Sequence, residues 1–481
     1  MFKVGLYTLG CKVSLYETEA IGESFAKAGY QVCSFDEVCD VYVINTCTVT
    51  AESDAKSRKY IRRAIRKNPD AIVIVIGCYS QRSPEEVASI EGVSAVLGTA
   101  DKMKCVEIAD RLLSSECRVQ SAVSRQKQQN VVFDVANAQK QGPADAECTE
   151  AEDATMFQEL VQSAEIFVTP LDGASFEPMC VENAPRTRAY VKIEDGCECR
   201  CSYCAISGAR GPVRSKAAEQ VISEVEGLYK KGTLEIVLTG IETGSYGADF
   251  DEKYDLADLL CQLDARQSCR RVRLGSMAPE LLSPGFVDRI AGLKIMVPHF
   301  HISMQSGSDN VLRGMKRRYN RTMALRNIER IRALMPDVML TADLMVGFPG
   351  ESEEDFLDTI AFVREAQLLD AHVFVYSKRE GTPAADYPNQ VPEQVKKERS
   401  ARLITECAKM RDEILGRVVE EGKPLSCILE SYCSGIYTAH SDSYIEARVQ
   451  GEKGLSGRLV SVKPTHQENG VIYGTIINID N

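Results

Sequence analysis

The segment Gly196-Cys197-Glu198-Cys199-Arg200-Cys201-Ser202-Tyr203-Cys204 concentrates four thiols in one short stretch. Cys197, Cys201 and Cys204 stand at CxxxCxxC spacing, and thiolates so placed in one loop can reach three corners of a 4Fe-4S cube, which is normally held by four cysteines. One iron is then left without a protein ligand. Such an open position is what a metal centre needs if a substrate or cofactor is to chelate there. Zinc is the structural alternative: Cys197, Cys199, Cys201 and Cys204 could supply a four-sulfur site, although their crowding lacks the usual paired knuckles.

A second set of thiols is dispersed but regular. Cys11 follows Thr8-Leu9-Gly10, Cys47 follows Ile44-Asn45-Thr46, and Cys78 follows Val75-Ile76-Gly77. Each comes just after an apolar run of strand length, and each run is followed by an amphipathic stretch: Phe2 to Leu9 then Glu17 to Ala28, Val41 to Ile44 then Ser53 to Lys67, Ala71 to Ile76 then Pro84 to Ile90. With Ala95 to Leu97 as a further strand, this βα alternation predicts a parallel sheet with covering helices, in which ligands bind at the carboxyl ends of the strands. Three loops then deliver three thiols to one edge.

Alternation resumes at Arg188, with strands Tyr190 to Ile193, Glu235 to Thr239, Arg271 to Gly275, His301 to Met304, Met339 to Met345 and His372 to Tyr376. Helices are expected between them and, last, over Glu393 to Leu415. Six βα units fall short of a closed eight-stranded barrel, so an open, partial (β/α)6 barrel is expected, with function at the loops after its strands. Past Gly416 the pattern turns to short period-two strands, as in Ser426 to Glu430, Tyr444 to Val449, Gly457 to Pro464 and Val471 to Ile477, which predicts a small all-β barrel. The fold class is therefore α/β with a terminal β-module. Its expected division is an N-terminal domain over 1–117, a polar and acidic linker or insertion over 118–184, a barrel core over 185–415 and the small barrel over 416–481.

The length of 481 residues suits about three domains, and 44% hydrophobic with 26% charged residues is ordinary globular composition. The longest apolar run, Ala71 to Gly77, is strand-sized, and Met1-Phe2-Lys3-Val4-Gly5 lacks the pattern of a secretory signal, so no membrane association and a cytoplasmic location are expected. In a reducing compartment clustered cysteines read as metal ligands or catalytic groups, whereas isolated ones such as Cys261, Cys407 and Cys427 read as small core hydrophobes. A net charge of -12 argues against a protein that coats nucleic acid without specificity. A local basic run still stands out after Cys47: Lys56, Arg58, Lys59, Arg62, Arg63, Arg66 and Lys67. A solvated helix face is the usual meaning of such a run, and a phosphate-binding patch is the functional one. Lys316, Arg317 and Arg318 form a second, shorter candidate.

The Cys197 loop after the first barrel strand resembles that of the radical S-adenosylmethionine enzymes. Together with Cys11, Cys47 and Cys78 on a βα domain and the terminal barrel, the chain is similar to the methylthiotransferases, over all of its length except about 118–184. Thr239-Gly240-Ile241, Leu274-Gly275-Ser276, His299 to Ser308, Met315 to Tyr319, Val346 to Glu351 and His372 to Arg379 resemble most the branch that acts on threonylcarbamoyladenosine in tRNA. The resemblance implies two 4Fe-4S clusters, one on Cys197, Cys201 and Cys204 as catalytic ligands and one on Cys11, Cys47 and Cys78. It also implies S-adenosylmethionine, contacted by Tyr203, Gly240, Ser276 and Gln305, with Gly347 to Glu351 on the adenosine side, and a terminal barrel of the RNA-associated TRAM type. The implied activity is 2-methylthiolation at position 37, with the tRNA anticodon stem-loop and an electron-donor protein as partners and the chain as a monomer. Isopentenyladenosine tRNA, a ribosomal protein, or a zinc-dependent RNA-binding role without turnover are the alternatives. Glu194 departs from the family's usual glutamine, Ala205-Ile206-Ser207 replaces a more common step, and Cys199 within the loop is an alternative ligand.

Overall fold

The structure, a computed structural model, describes residues 1–114, 164–184 and 186–480. The chain forms two compact units: Met1–Gly10, Glu17–Thr48 and Glu52–Pro170, and Cys11–Tyr16, Val49–Ala51 and Leu171–Asn481.

In the first unit six strands form one parallel sheet: β1 (Lys3–Thr8), β2 (Gln31–Cys33), β3 (Val41–Thr46), β4 (Ile72–Gly77), β5 (Ala95–Leu97) and β6 (Glu165–Phe167), in the order β2-β1-β3-β4-β5-β6. Every residue of β3 and β4 is buried. Strands covered on both faces lose the alternation of half-exposed ones, which is why Val41 to Ile44 and Ala71 to Ile76 read as continuous apolar runs. Ile21, Phe25 and Ile108 pack on one face against Val4, Val43 and Ile74, while Ile61, Ala64 and Val87 pack on the other against Tyr42, Ile44 and Val75. Strand β6 falls within the stretch expected as insertion. At three residues it is too short to show a period, and its pairing with β5 defines it. Of that stretch, 118–163 lies outside the described residues.

In the second unit β7 (Arg188–Lys192) leads into a two-residue ribbon of β8 (Glu194–Asp195) and β9 (Arg214–Ser215). With β10 (Glu235–Thr239) and β11 (Arg271–Leu274), β7 makes one parallel arc; β12 (His299–Gln305), β13 (Met339–Val346) and β14 (Asp370–Val375) make another. Bridges Val272 to Met296 and Met277 to Ile302 join the arcs. Six strands with intervening helices thus give the expected open, partial barrel. The last helix runs Glu393–Glu421 and stops at Gly422 in the left-handed region. It passes through Gly416, where the sequence pattern had placed the stop: this glycine is an ordinary helical one, and the αL cap that ends helices lies six residues on.

The terminal module is a closed barrel of β15 (Leu425–Cys433), β16 (Ile436–Ser441), β17 (Glu446–Gln450), β18 (Leu459–Glu468) and β19 (Val471–Ile479), ordered β15-β16-β17-β19-β18. It docks on the amino ends of β7, β11 and β12. Arg271 donates to the Ser426 carbonyl at 3.0 Å, Arg273 to the Ser441 carbonyl at 3.3 Å, and Arg188 pairs with Glu430. Tyr444, held at φ 72° in the turn before β17, stacks on His299 with ring centroids 4.6 Å apart.

Candidate active site

The CxxxCxxC loop leaves β8 through Gly196 at φ 95°, where a Cβ would collide with the Pro212 carbonyl. Only glycine allows this approach, and the next residue is Cys197. Arg200 also sits in the left-handed region, at φ 47°. The loop is pinned by the end of the short helix Ile206–Arg210, the end of the helix Asp309–Gly314 and the turn Pro383–Asp386. Cys197 N donates to Gly211 O at 2.9 Å, Ser202 N and Oγ donate to Met315 O and Gly314 O at 3.1 and 2.8 Å, and Ala384 N donates to Ser202 O at 2.8 Å.

The sulfur atoms meet donors suited to thiolates. Arg317 Nη1 donates to Cys201 Sγ at 3.2 Å, and Ile206 N to Cys204 Sγ at 3.4 Å. Burial pushes the thiols of Cys201 and Cys204 up, with Arg317 and the Ile206 amide respectively pulling the other way. Cys197 and Cys199 share a hydrogen bond that lowers the pKa of Cys199, helped by Arg317 and Arg318. Cys199 is therefore within reach of the same site, so the fold leaves it as an alternative ligand. All these cysteines are free. Thiols converging in one loop, with amide and guanidinium donors on two of the sulfurs, fit an iron-sulfur cube with cysteine ligands.

Of the residues expected at the cofactor, each lies at or beside the carboxyl end of a barrel strand. Gly240 follows β10 and backs on Glu194, whose Oε2 would collide with an added Cβ. Glu194 is fully buried, accepts from Glu242 N at 3.0 Å through Oε2, and has no hydrogen-bond partner on Oε1 among the described residues. Burial, and then neighbouring Asp195, raise its pKa well above the ordinary carboxylate range. Ser276 is half-buried just past β11. Gln305 ends β12 at φ 65°, a costly conformation for a side-chain-bearing residue and one that recurs at functional sites. Tyr203 packs edge-on to Phe348 at 6.5 Å within a small apolar cluster with Met315 and Tyr376. The turn after β13 closes on itself, Gly347 N donating to Glu351 Oε1 at 3.0 Å while Arg399 holds that same oxygen at 2.6 Å.

One residue at this site is not singled out by the sequence, and another has a different role from the one its sequence neighbours suggest. Glu242 is buried beside the loop, accepts from Ala278 N at 3.2 Å, and is pushed up to about 8 by burial, with Cys199 adding to the rise. Its signal was an acid two positions after a strand-end glycine. The basic run Lys316 to Arg318 reads in sequence as a phosphate patch, whereas in the fold Arg317 turns inward onto Cys201. Besides Cys201, Arg317 binds Tyr319 OH at 3.0 Å and the Ser303 carbonyl at 3.2 Å, and Arg318 donates to Glu198 O at 3.1 Å. Lys316 alone of the three is exposed without such a bond among the described residues.

In the first unit, β1, β3 and β4 are neighbours in register, Thr8 beside Asn45 and Thr46 beside Gly77. Cys47 and Cys78 therefore leave adjacent strand ends of this unit, while Cys11, three positions past the end of β1 in the sequence, belongs to the second unit. Gly77 adopts φ 102°, and a Cβ there would lie 2.6 Å from the Thr46 carbonyl, so Cys78, like Cys197, follows an obligatory glycine. The basic helix Ala51–Lys67 is partly neutralised: Lys56 pairs with Glu52, Arg58 with Glu86, and Arg63 and Lys67 with Asp36. Lys59, Arg62 and Arg66 are exposed and unpaired among the described residues, at i, i+3, i+7 spacing on one stripe.

Comparison with known proteins follows the same lines. The family described as Uncharacterized protein family UPF0004 matches residues 3–98, and the Radical SAM superfamily matches 191–363. The chain is 37% identical to the threonylcarbamoyladenosine tRNA methylthiotransferase MtaB of Bacillus subtilis, covering 96% of this chain and 94% of that one. It is 33% identical to the MtaB of Aquifex aeolicus, over 96% and 99%. It is also 31% identical to a tRNA-2-methylthio-N(6)-dimethylallyladenosine synthase of Lachnoclostridium phytofermentans, over 95% and 91%. Among solved structures, the radical S-adenosylmethionine methyltransferase TsrM of Kitasatospora setae shares the fold at TM-score 0.53 and 15% identity, over 80% of this chain and 77% of that one.

Proposed function

The chain belongs to the radical S-adenosylmethionine tRNA methylthiotransferases, and on that premise we propose that it converts N6-threonylcarbamoyladenosine at position 37 of tRNA to its 2-methylthio derivative. The observation that carries this reading is near-full-length similarity to proteins named for that nucleoside, at 37% and 33% identity. An aromatic C–H is too weak an acid for a side-chain base at neutral pH; a 4Fe-4S cluster with S-adenosylmethionine supplies the one-electron chemistry that opens it.

The chain's own residues bind and orient. Cys197, Cys201 and Cys204 hold that cluster, Arg317 fixes Cys201, and Tyr203, Gly240, Ser276 and Gln305 line the cofactor's place at the strand ends. Glu242, at the same edge, offers a carboxyl to the cofactor's amino group. Cys11, Cys47 and Cys78 would hold a second 4Fe-4S cluster, which would carry the sulfur to be transferred. Lys59, Arg62 and Arg66 contact phosphates of the anticodon stem-loop. An electron-donor protein, a monomeric chain and a cytoplasmic location complete the proposal; no helix among the described residues is long and apolar enough to cross a membrane.

Nucleoside mass spectrometry of tRNA from cells lacking the gene, complemented with wild type or Cys201→Ser, tests the reading. Only wild type should restore the 2-methylthio derivative of threonylcarbamoyladenosine. Restoration of the isopentenyl derivative, or of a modified ribosomal protein with unchanged tRNA, would assign a different substrate. Stoichiometric zinc without cleavage of S-adenosylmethionine would reject the enzyme mechanism.

A further inference from the structure

In the second arc β12, β13 and β14 run parallel, pairing His301 with Thr341 and Asp343 with His372. Side chains alternate along a strand, so His301, Asp343 and His372 project from one face. His301 Nε2 lies 3.1 Å from Asp343 Oδ1, His372 Nδ1 lies 3.2 Å from the same oxygen, and the three atoms all fall within 4.8 Å of one another. None of these residues belongs to either cysteine set.

We propose that His301, Asp343 and His372 form a binding site for a divalent first-row transition metal ion. Ligand bonds of about 2.0–2.2 Å place tetrahedral ligand atoms roughly 3.3 Å apart, and two of the three spacings already match. The site is built from adjacent strands rather than a loop, which holds ligands in place. The second nitrogen of His301 is engaged by Thr341 Oγ1 at 2.8 Å, and that hydroxyl is in turn 3.0 Å from His299 Nε2. Metal-binding imidazoles are oriented in this way through the nitrogen that does not touch the ion. His301 is buried while the His372 side chain is 68% exposed, so an ion has a way in. Three protein ligands leave further positions open, as in catalytic rather than closed structural sites. Two imidazoles and a carboxylate suit zinc, iron(II) or manganese(II) rather than calcium, which takes oxygen ligands. The competing arrangement is a plain network in which both imidazoles donate to Asp343.

The test is an anaerobic titration of the cluster-loaded enzyme, oxidised so that its cubes are diamagnetic, with manganese(II) chloride, reading free ion by its six-line EPR signal. Manganese(II) is a hard ion that avoids spare thiolates, so binding reports nitrogen and oxygen ligands. Wild type should bind one ion per chain, displaced by zinc, and His372→Ala and Asp343→Asn should each bind at least about tenfold more weakly, with iron content and circular dichroism unchanged. His372 is exposed enough for its truncation to leave the fold intact, so that variant decides the matter should Asp343→Asn lose its clusters. No binding up to about millimolar ion, or equal binding by wild type and His372→Ala, overturns the proposal and leaves the hydrogen-bonded network.

Discussion

Cys199 is the residue on which the assignment of the loop turns, because its thiol shares a hydrogen bond with Cys197. With two cubes the reconstituted chain should carry about eight irons. Cys197→Ser, Cys201→Ser and Cys204→Ser should each retain about four and lose reductive cleavage of S-adenosylmethionine, while Cys199→Ser should keep both the iron and the cleavage. Iron analysis and 5'-deoxyadenosine assay check this, and the pattern inverts between Cys199 and Cys201 if the ligand assignment is wrong. Arg317 acts on the same centre. A hydrogen bond to a ligating sulfur favours the more negative, reduced cluster, so Arg317→Ala should shift the midpoint potential of that cluster to a more negative value, measured by EPR-monitored redox titration.

Two elements have geometry strict enough to be tested by a single methyl group. Gly196→Ala would collide with the Pro212 carbonyl, and Gly77→Ala with Asn45 and Thr46. Each should halve the iron of the reconstituted chain by displacing the cysteine that follows it, with a different cube lost in each variant. The contact between the terminal barrel and the core is testable by pH. Burial alone would raise the Glu430 carboxyl, yet His440 and Arg188 together hold it down at about 2. A depressed folded-state pKa contributes stability above the unfolded value, and that contribution is lost as pH falls from about 4.3 towards 2. Glu430→Gln should therefore lower Tm at pH 7 by about 2–4 °C, the shift expected for about 1 kcal/mol. The gap to wild type should close between pH 5 and 2; a gap independent of pH would show that the pair carries no charge-linked stability.

For the whole molecule, a net charge of -12 means that any attraction for RNA must come from local arrangement. The stripe Lys59, Arg62 and Arg66 is the arrangement left once the ion pairs of the basic helix are removed. Replacing all three with alanine should weaken tRNA binding and reduce the slope of log affinity against log salt by about 2–3, since each phosphate contact contributes about 0.7–0.9. Filter binding at several salt concentrations would show it. An unchanged slope would return these residues to an ordinary solvated face.

Spacing along the chain determined what covalent proximity can determine: three thiols at CxxxCxxC spacing among the four of one loop, three more each just after a strand, and six βα units followed by short strands with period two. Covalent spacing and side-chain period are local properties, so they are present in the sequence itself. The tertiary structure decided the rest. Arg317 turns onto Cys201 across 116 positions, Asp36 neutralises Arg63 and Lys67 from another element, β6 joins a sheet from which a long stretch of chain separates it, and His301, Asp343 and His372 meet only because three strands pair in register. Each of these is a contact between segments far apart in sequence, fixed by the packing of strands and helices and not by any pattern the segments carry alone.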